Sequence, residues 1–179
     1  MLKEFNIEKA AIMIALVVAG AYVVRQASAE NWKKFTSAEG AFTCMMPTTP
    51  KSEIQPMEAH GMKVEAHIFT ASDRANSIFT VSYVDGSKLL TVEEGEKMLD
   101  RQGQNLTQGD ESRMLLAQKL ALKGYSGRHY RANTENNTET DEMVYLVGRR
   151  LYTLLVVHDN NGAQDMVRRF FDSFAFEQP

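Results

Sequence analysis

If Leu151-Tyr152-Thr153-Leu154-Leu155-Val156-Val157 is a strand, it is apolar on both sides. Successive strand residues point to opposite faces, so Leu151, Leu155 and Val157 fall on one side and Tyr152, Leu154 and Val156 on the other. A strand of this kind belongs inside a sheet that is covered above and below. That requirement excludes an open meander with one wet face, and the covering layers have to come from elsewhere in the chain.

Two segments have the helical period needed for such layers. "TVEEGEKMLDRQGQNL" places Thr91 and Glu94 at the spacing of a capping box, and Val92, Leu99 and Leu106 recur at helical intervals. Gly95 and Gly103 lower its intrinsic helicity, so packing must support it. In "GAQDMVRRFFDSFAF", Met166, Val167, Phe170, Phe171 and Phe174 form an apolar stripe. Asp165/Arg169 and Arg168/Asp172 are spaced as ion pairs on its opposite side.

The remaining periodic segments read as strands. Ser37-Ala38-Glu39-Gly40 is a turn, after which Phe42, Cys44 and Met46 share a face. "KSEIQPMEA" and "MKVEAHIFTAS" meet across His60-Gly61 as a hairpin, and "NSIFTVSYV" puts Phe79, Val81 and Tyr83 on one side. "MLLAQKLAL", "YSGRHYRANT" and "EMVYLVG" follow, the last joined to the central strand at Gly148-Arg149-Arg150. About seven or eight strands and two helices result. The fold class is α+β, an antiparallel β-sheet flanked by helices.

The chain opens with "MLKEFNIEK", runs through an apolar stretch from Ala10 to Val24, and reaches Ala27-Ser28-Ala29. This is the layout of a signal peptide with an A-x-A cleavage site, and the apolar run is short of the roughly 17 residues that a bilayer span needs. Residues 1–29 are therefore expected to be a signal peptide and 30–179 a single domain that is periplasmic or secreted. The rival is retention of the segment as an anchor, the one way in which a membrane would be a partner. A net charge of −3 without a basic stripe disfavours nucleic acid. One cysteine cannot form an internal disulfide, which leaves the fold to its core.

The closing segment "VYLVGRRLYTLLVV … VRRFFDSFAF" has a strand, a tight turn, a strand of the form L-Y-T-L and a helix ending in D-S-F. It resembles the end of the PsbP family, the extrinsic subunits of photosystem II. The same fold is that of a nuclear Ran-binding factor and of bacterial envelope lipoproteins of the DcrB and LpqN type. "WKKFTSAEGAFTCMMPTTPK" and "LKGYSGRHY" are similar to exported bacterial proteins of this kind. The resemblance implies an α-β-α sandwich and a protein that binds partners or assists an assembly without catalysis. The residues that carry it, among them Trp32, Gly40, Phe42, Gly124, Gly127, Tyr152 and Phe174, are turn and core types.

Candidate chemistry is sparse. Cys44 has no cationic neighbour in sequence to stabilise a thiolate, and alternation turns it to the side of Phe42, as an inert core residue. Met57, His60 and Met62 crowd one turn; thioether and imidazole suit copper, and adaptable methionines suit a protein contact. A plain hairpin explains them as well. "GRHYR" sends Arg128 and His129 to opposite faces and reads as a solvated strand, and His158-Asp159 reads as the approach to a turn. No nucleophile or cofactor motif is present, so no cofactor is expected. The expected function is binding or stabilising a protein partner in the envelope, through Met57, His60 and Met62. A small-ligand or copper-binding periplasmic module is the alternative, and a hydrolase comes third.

Overall fold

The computed structural model describes residues 32–59, 62–107, 112–134, 138–159 and 164–177. The expected signal peptide with Ala27-Ser28-Ala29, the His60-Gly61 turn and the turn after Asp159 lie outside the described residues. Among the described residues there are ten strands and two helices, more strands than the turn signals predict. In chain order they are β1 (Lys33–Ser37), β2 (Phe42–Met46), β3 (Lys51–Ala59), β4 (Met62–Ser72), β5 (Ile78–Asp85), α1 (Val92–Asn105), β6 (Arg113–Leu122), β7 (Tyr125–Thr134), β8 (Thr138–Val147), β9 (Arg150–Asp159), α2 (Gln164–Asp172) and β10 (Ala175–Phe176).

The apolar run of β9 occupies the middle of a seven-stranded antiparallel sheet in the order β3-β4-β5-β9-β8-β7-β6. Tyr152, Leu154 and Val156 pack with Phe79, Val81 and Tyr83 of β5 and with Val167, Phe170, Phe171 and Phe174 in and after α2. Leu151 and Leu155 face the other way, against Met98, Leu99 and Leu106 in and after α1. The α-β-α layering therefore follows from the two-sided burial of one strand.

A second, three-stranded sheet, β1-β2-β10, shares the face covered by α2. Phe42, Cys44 and Met46 of β2 enter the same core, at 0%, 1% and 0% exposure. Phe42 stacks on Phe174 at 5.6 Å and meets Phe69 and Tyr152 edge-on at 5.7 and 6.3 Å. The strand β2 is thus a buried layer of the fold, and burial pushes the Cys44 thiol up to about 12.

Helix α1 starts at the predicted cap. Thr91 Oγ1 accepts the Glu94 N–H at 3.2 Å, and the Glu94 carboxylate accepts the Thr91 N–H at 2.8 Å. Its buried face is Gly95, Met98, Leu99, Gln102 and Gly103. Val92, expected on that face, is 84% exposed. The buried face therefore begins one turn later, at Gly95, which lies against Leu146 near the end of β8.

Both sheet edges carry features that discourage further pairing. β3 contains Pro56, and β6 has a register shift between Met114 and Leu116. The β6–β7 turn is Lys123-Gly124, with φ of 51° and 85°, the left-handed pair that a two-residue hairpin favours.

Candidate functional site

Polar side chains converge where β7, β8 and β9 run under the first turn of α2. The β8–β9 register sets Glu139 opposite His158, and the β7–β8 register sets Arg131 opposite Asp141. Alternation places all four, with His129, on the face that α2 covers. Asp141 is fully buried, His158 is 4% exposed and Glu139 9%.

Asp141 is the hub. Its Oδ1 accepts from His129 Nε2 at 3.0 Å and Arg131 Nε at 2.9 Å, and its Oδ2 accepts from His158 Nε2 at 3.3 Å. Arg131 Nε also lies 3.1 Å from Glu139 Oε1. Gln164, the first residue of α2, closes the group: its amide donates to Glu139 Oε1 at 3.0 Å, and its carbonyl accepts from Arg131 Nη2 at 2.9 Å. Burial alone would raise the Asp141 carboxyl, but bonds from His129, His158 and Arg131 outweigh it and hold Asp141 well below the usual carboxylate range. For His158, burial lowers the imidazole pKa, and the bonds to Asp141 and to the Asp159 carbonyl win, leaving it raised.

Glu139, Asp141 and His158 have ligand atoms within 4.8 Å of one another. The Arg131 guanidinium already bridges the two carboxylates, so a cation among them would have to displace it. We read the set as a closed ion network rather than a metal centre. A depressed carboxylate engaged with three donors is also a poor proton acceptor for catalysis.

Beside this network an open cleft of about 290 Å³ runs between the sheet and α2. Met143, Val167 and Phe171 give it an apolar lining, and His129, Arg131 and Arg168 supply cationic or polar edges. The Phe171 ring meets the His129 ring edge-on at 5.6 Å. Arg168 is held by Asp165 at 2.6 Å, three residues before it, instead of the Asp172 expected from i,i+4 spacing. Arg169 lies over the Trp32 ring at 4.9 Å.

One expectation fails here. Arg128 and His129 do point to opposite faces, but neither is solvated. Arg128 is 3% exposed, bonded to Asp100 at 2.7 Å and to Glu96 at 2.9 Å, and it ties β7 to α1. The bond from Arg128, with weaker ones from Ser126 and Lys119, pulls the Glu96 carboxyl down to about 2. His158 stands, as expected, near the end of a strand, since β9 runs to Asp159, and it is buried there at 4% exposure. The solvated reading treated charge as a marker of surface; here Arg128 is buried against Glu96 and Asp100, which reach it from the rim of α1, and the His129 ring is turned to Asp141.

Met57 is 4% exposed and packs with Ala66, Ile68 and Val84, so its sulfur belongs to a small core under β3 and β4. His60 lies outside the described residues. Met62 opens β4, paired with Ala59 of β3, which gives the hairpin its expected form.

Neither a protein-family model nor a curated protein sequence matches the chain. Among solved structures, the chain is similar to cyanobacterial PsbP (CyanoP) from Synechocystis sp. PCC 6803. The TM-score is 0.54 at 12% identity, over 88% of this chain and 99% of that one. Likeness at that identity speaks for the fold, and it agrees with the layering described above. The chain has a PsbP-like fold.

Proposed function

We propose that this is an exported, non-enzymatic protein that binds or stabilises a protein partner in the envelope. The observation that carries the reading is the PsbP-like fold over 88% of the chain, because proteins of the family it resembles serve as accessory subunits. The internal pairing of the Asp141 network supports it, since these charges are spent on joining strands to α2.

The β3–β4 hairpin tip remains the proposed contact, with His60 and Met62 as the partner-binding side chains on a rigid sheet. Met57, buried with Ala66, Ile68 and Val84, drops out of the contact. Crosslinked capture from envelope extract tests this: a specific partner should be recovered by the unaltered chain and lost with a His60→Ser/Met62→Ser variant of unchanged unfolding temperature. Turnover of a substrate, abolished by one His or Asp substitution, would sink the reading.

A small-ligand module is the second reading, favoured by the 290 Å³ cleft beside α2. Ligand screening by thermal shift separates the two, because a cleft ligand would stabilise the domain without any protein partner.

A further inference from the structure

His158 has an oxygen at each ring nitrogen. The Asp159 carbonyl is 2.7 Å from Nδ1, and Asp141 Oδ2 is 3.3 Å from Nε2. A carbonyl and a carboxylate only accept, whereas a neutral imidazole has one N–H and one lone pair. In the neutral form one nitrogen must aim its lone pair at an oxygen. The imidazolium alone satisfies both contacts, and a buried ring has no water to turn to instead.

The charges around the ring point the same way. Asp141 and Glu139 bring two carboxylates, with Glu139 Oε1 3.8 Å from Nε2, and Arg131 brings one guanidinium. A proton on His158 balances the group. The balance reaches α2, because Arg131 bonds both Asp141 and Gln164 while Gln164 donates to Glu139.

We propose that His158 is a proton-operated latch: charged, it fixes Asp141 and, through Arg131 and Gln164, the first turn of α2 against the sheet; neutral, it loosens that first turn while the β8–β9 ladder stays paired. The groups that face it are His129 and Arg131 on β7 and Glu139 and Asp141 on β8. Asp165, Arg168 and Asp172 of α2 line the cleft just beyond Gln164. A raised histidine pKa gives stability that is complete below the ordinary value of about 6.5 and is lost as pH rises through the folded value. The latch therefore holds on the acid side and opens on the alkaline side. It sets the cleft wall by pH whatever the protein binds, and so goes beyond the proposed function.

Nitrogen-15 NMR of the full chain tests the protonation, and amide exchange of α2, corrected for base catalysis, tests the release. At pH 6 both ring nitrogens of His158 should carry protons, and α2 exchange should accelerate between pH 6 and 8.5. Glu142, on the opposite face of β8, titrates as well, so the acceleration must persist in Glu142→Gln and disappear in His158→Gln. A single neutral tautomer at pH 6, or a titrating His158 with no change in α2 exchange, would overturn the latch. Should His158→Gln not fold, these two measurements on the unaltered chain and on Glu142→Gln decide it alone.

Discussion

Gly103→Ala is expected to destabilise the protein even though alanine is the better helix former. A Cβ at position 103 would lie 2.5 Å from Tyr130 Cε1 and 2.6 Å from Cδ1. The ring has little room to move, because Tyr130 is 4% exposed and its hydroxyl donates to the Leu99 carbonyl at 2.8 Å. Alanine gains about 1 kcal/mol of helix propensity. Overpacking a filled site costs about 1–3 kcal/mol, and displacing the tyrosine forfeits about 1 kcal/mol of hydrogen bonding. The net loss is about 1–3 kcal/mol. Gly95→Ala is the control: its Cβ would meet only Leu146 Cδ2, at 2.7 Å, the far end of a flexible side chain. There the helix gain and the rotamer shift nearly cancel. Urea unfolding of the two variants measures both. If Gly103→Ala matched the unaltered chain while Gly95→Ala fell well below it, the close approach of α1 to β7 would not be the reason for the glycine.

Burial pushes the Glu142 carboxyl from 4.5 up to about 8, and its Oε2 has no hydrogen-bond partner. Stability should therefore fall as pH rises from about 4.5 towards 8, and Glu142→Gln should flatten that slope in urea titrations and gain up to about 3 kcal/mol at pH 7. Cys44 should resist a thiol reagent in the native state and react fully in urea, in keeping with a thiol pushed to about 12. Immediate native labelling would mean that β2 is not the buried layer described. Intact mass of envelope-recovered protein should show a mature N-terminus at Glu30, and a full-length, membrane-retained chain would refute cleavage.

Architecture was legible where one physical term dominates. The two-sided apolar run of β9 demands layers on both faces, and the capping box at Thr91 and Glu94 announces the start of α1. The ion networks were not read, because their members are scattered in sequence and join only through register. Part of that register was available. Counting back from the Gly148-Arg149 turn sets Glu139 opposite His158. The position of α2 over this pair was not available, because no local pattern says which strands a helix will cross. Val92 shows a related limit: helical periodicity gives the face of a residue, whereas burial also needs something packed against that turn, and Val92 is 84% exposed.

Asp141 and Glu142 are neighbours in sequence with opposite fates. Alternation turns Asp141 towards His129, Arg131 and His158, where donors hold it ionised, and turns Glu142 into a face where desolvation is the one resolved influence and keeps it neutral. Had the strand slipped by one residue, the acid with no donors would face the three cationic or polar side chains, and Asp141 would sit in the dry face under α1. Register here is enforced by charge as well as by hydrophobic pattern. The same pairing bears on pH. Glu142 ionising beneath α1 and His158 losing its proton beneath α2 both weaken the fold as pH rises, so a falling stability curve by itself assigns neither. Glu142→Gln removes the first contribution without touching the α2 face, and the slope between pH 6 and 8.5 that remains there but disappears with His158→Gln belongs to the Asp141 network.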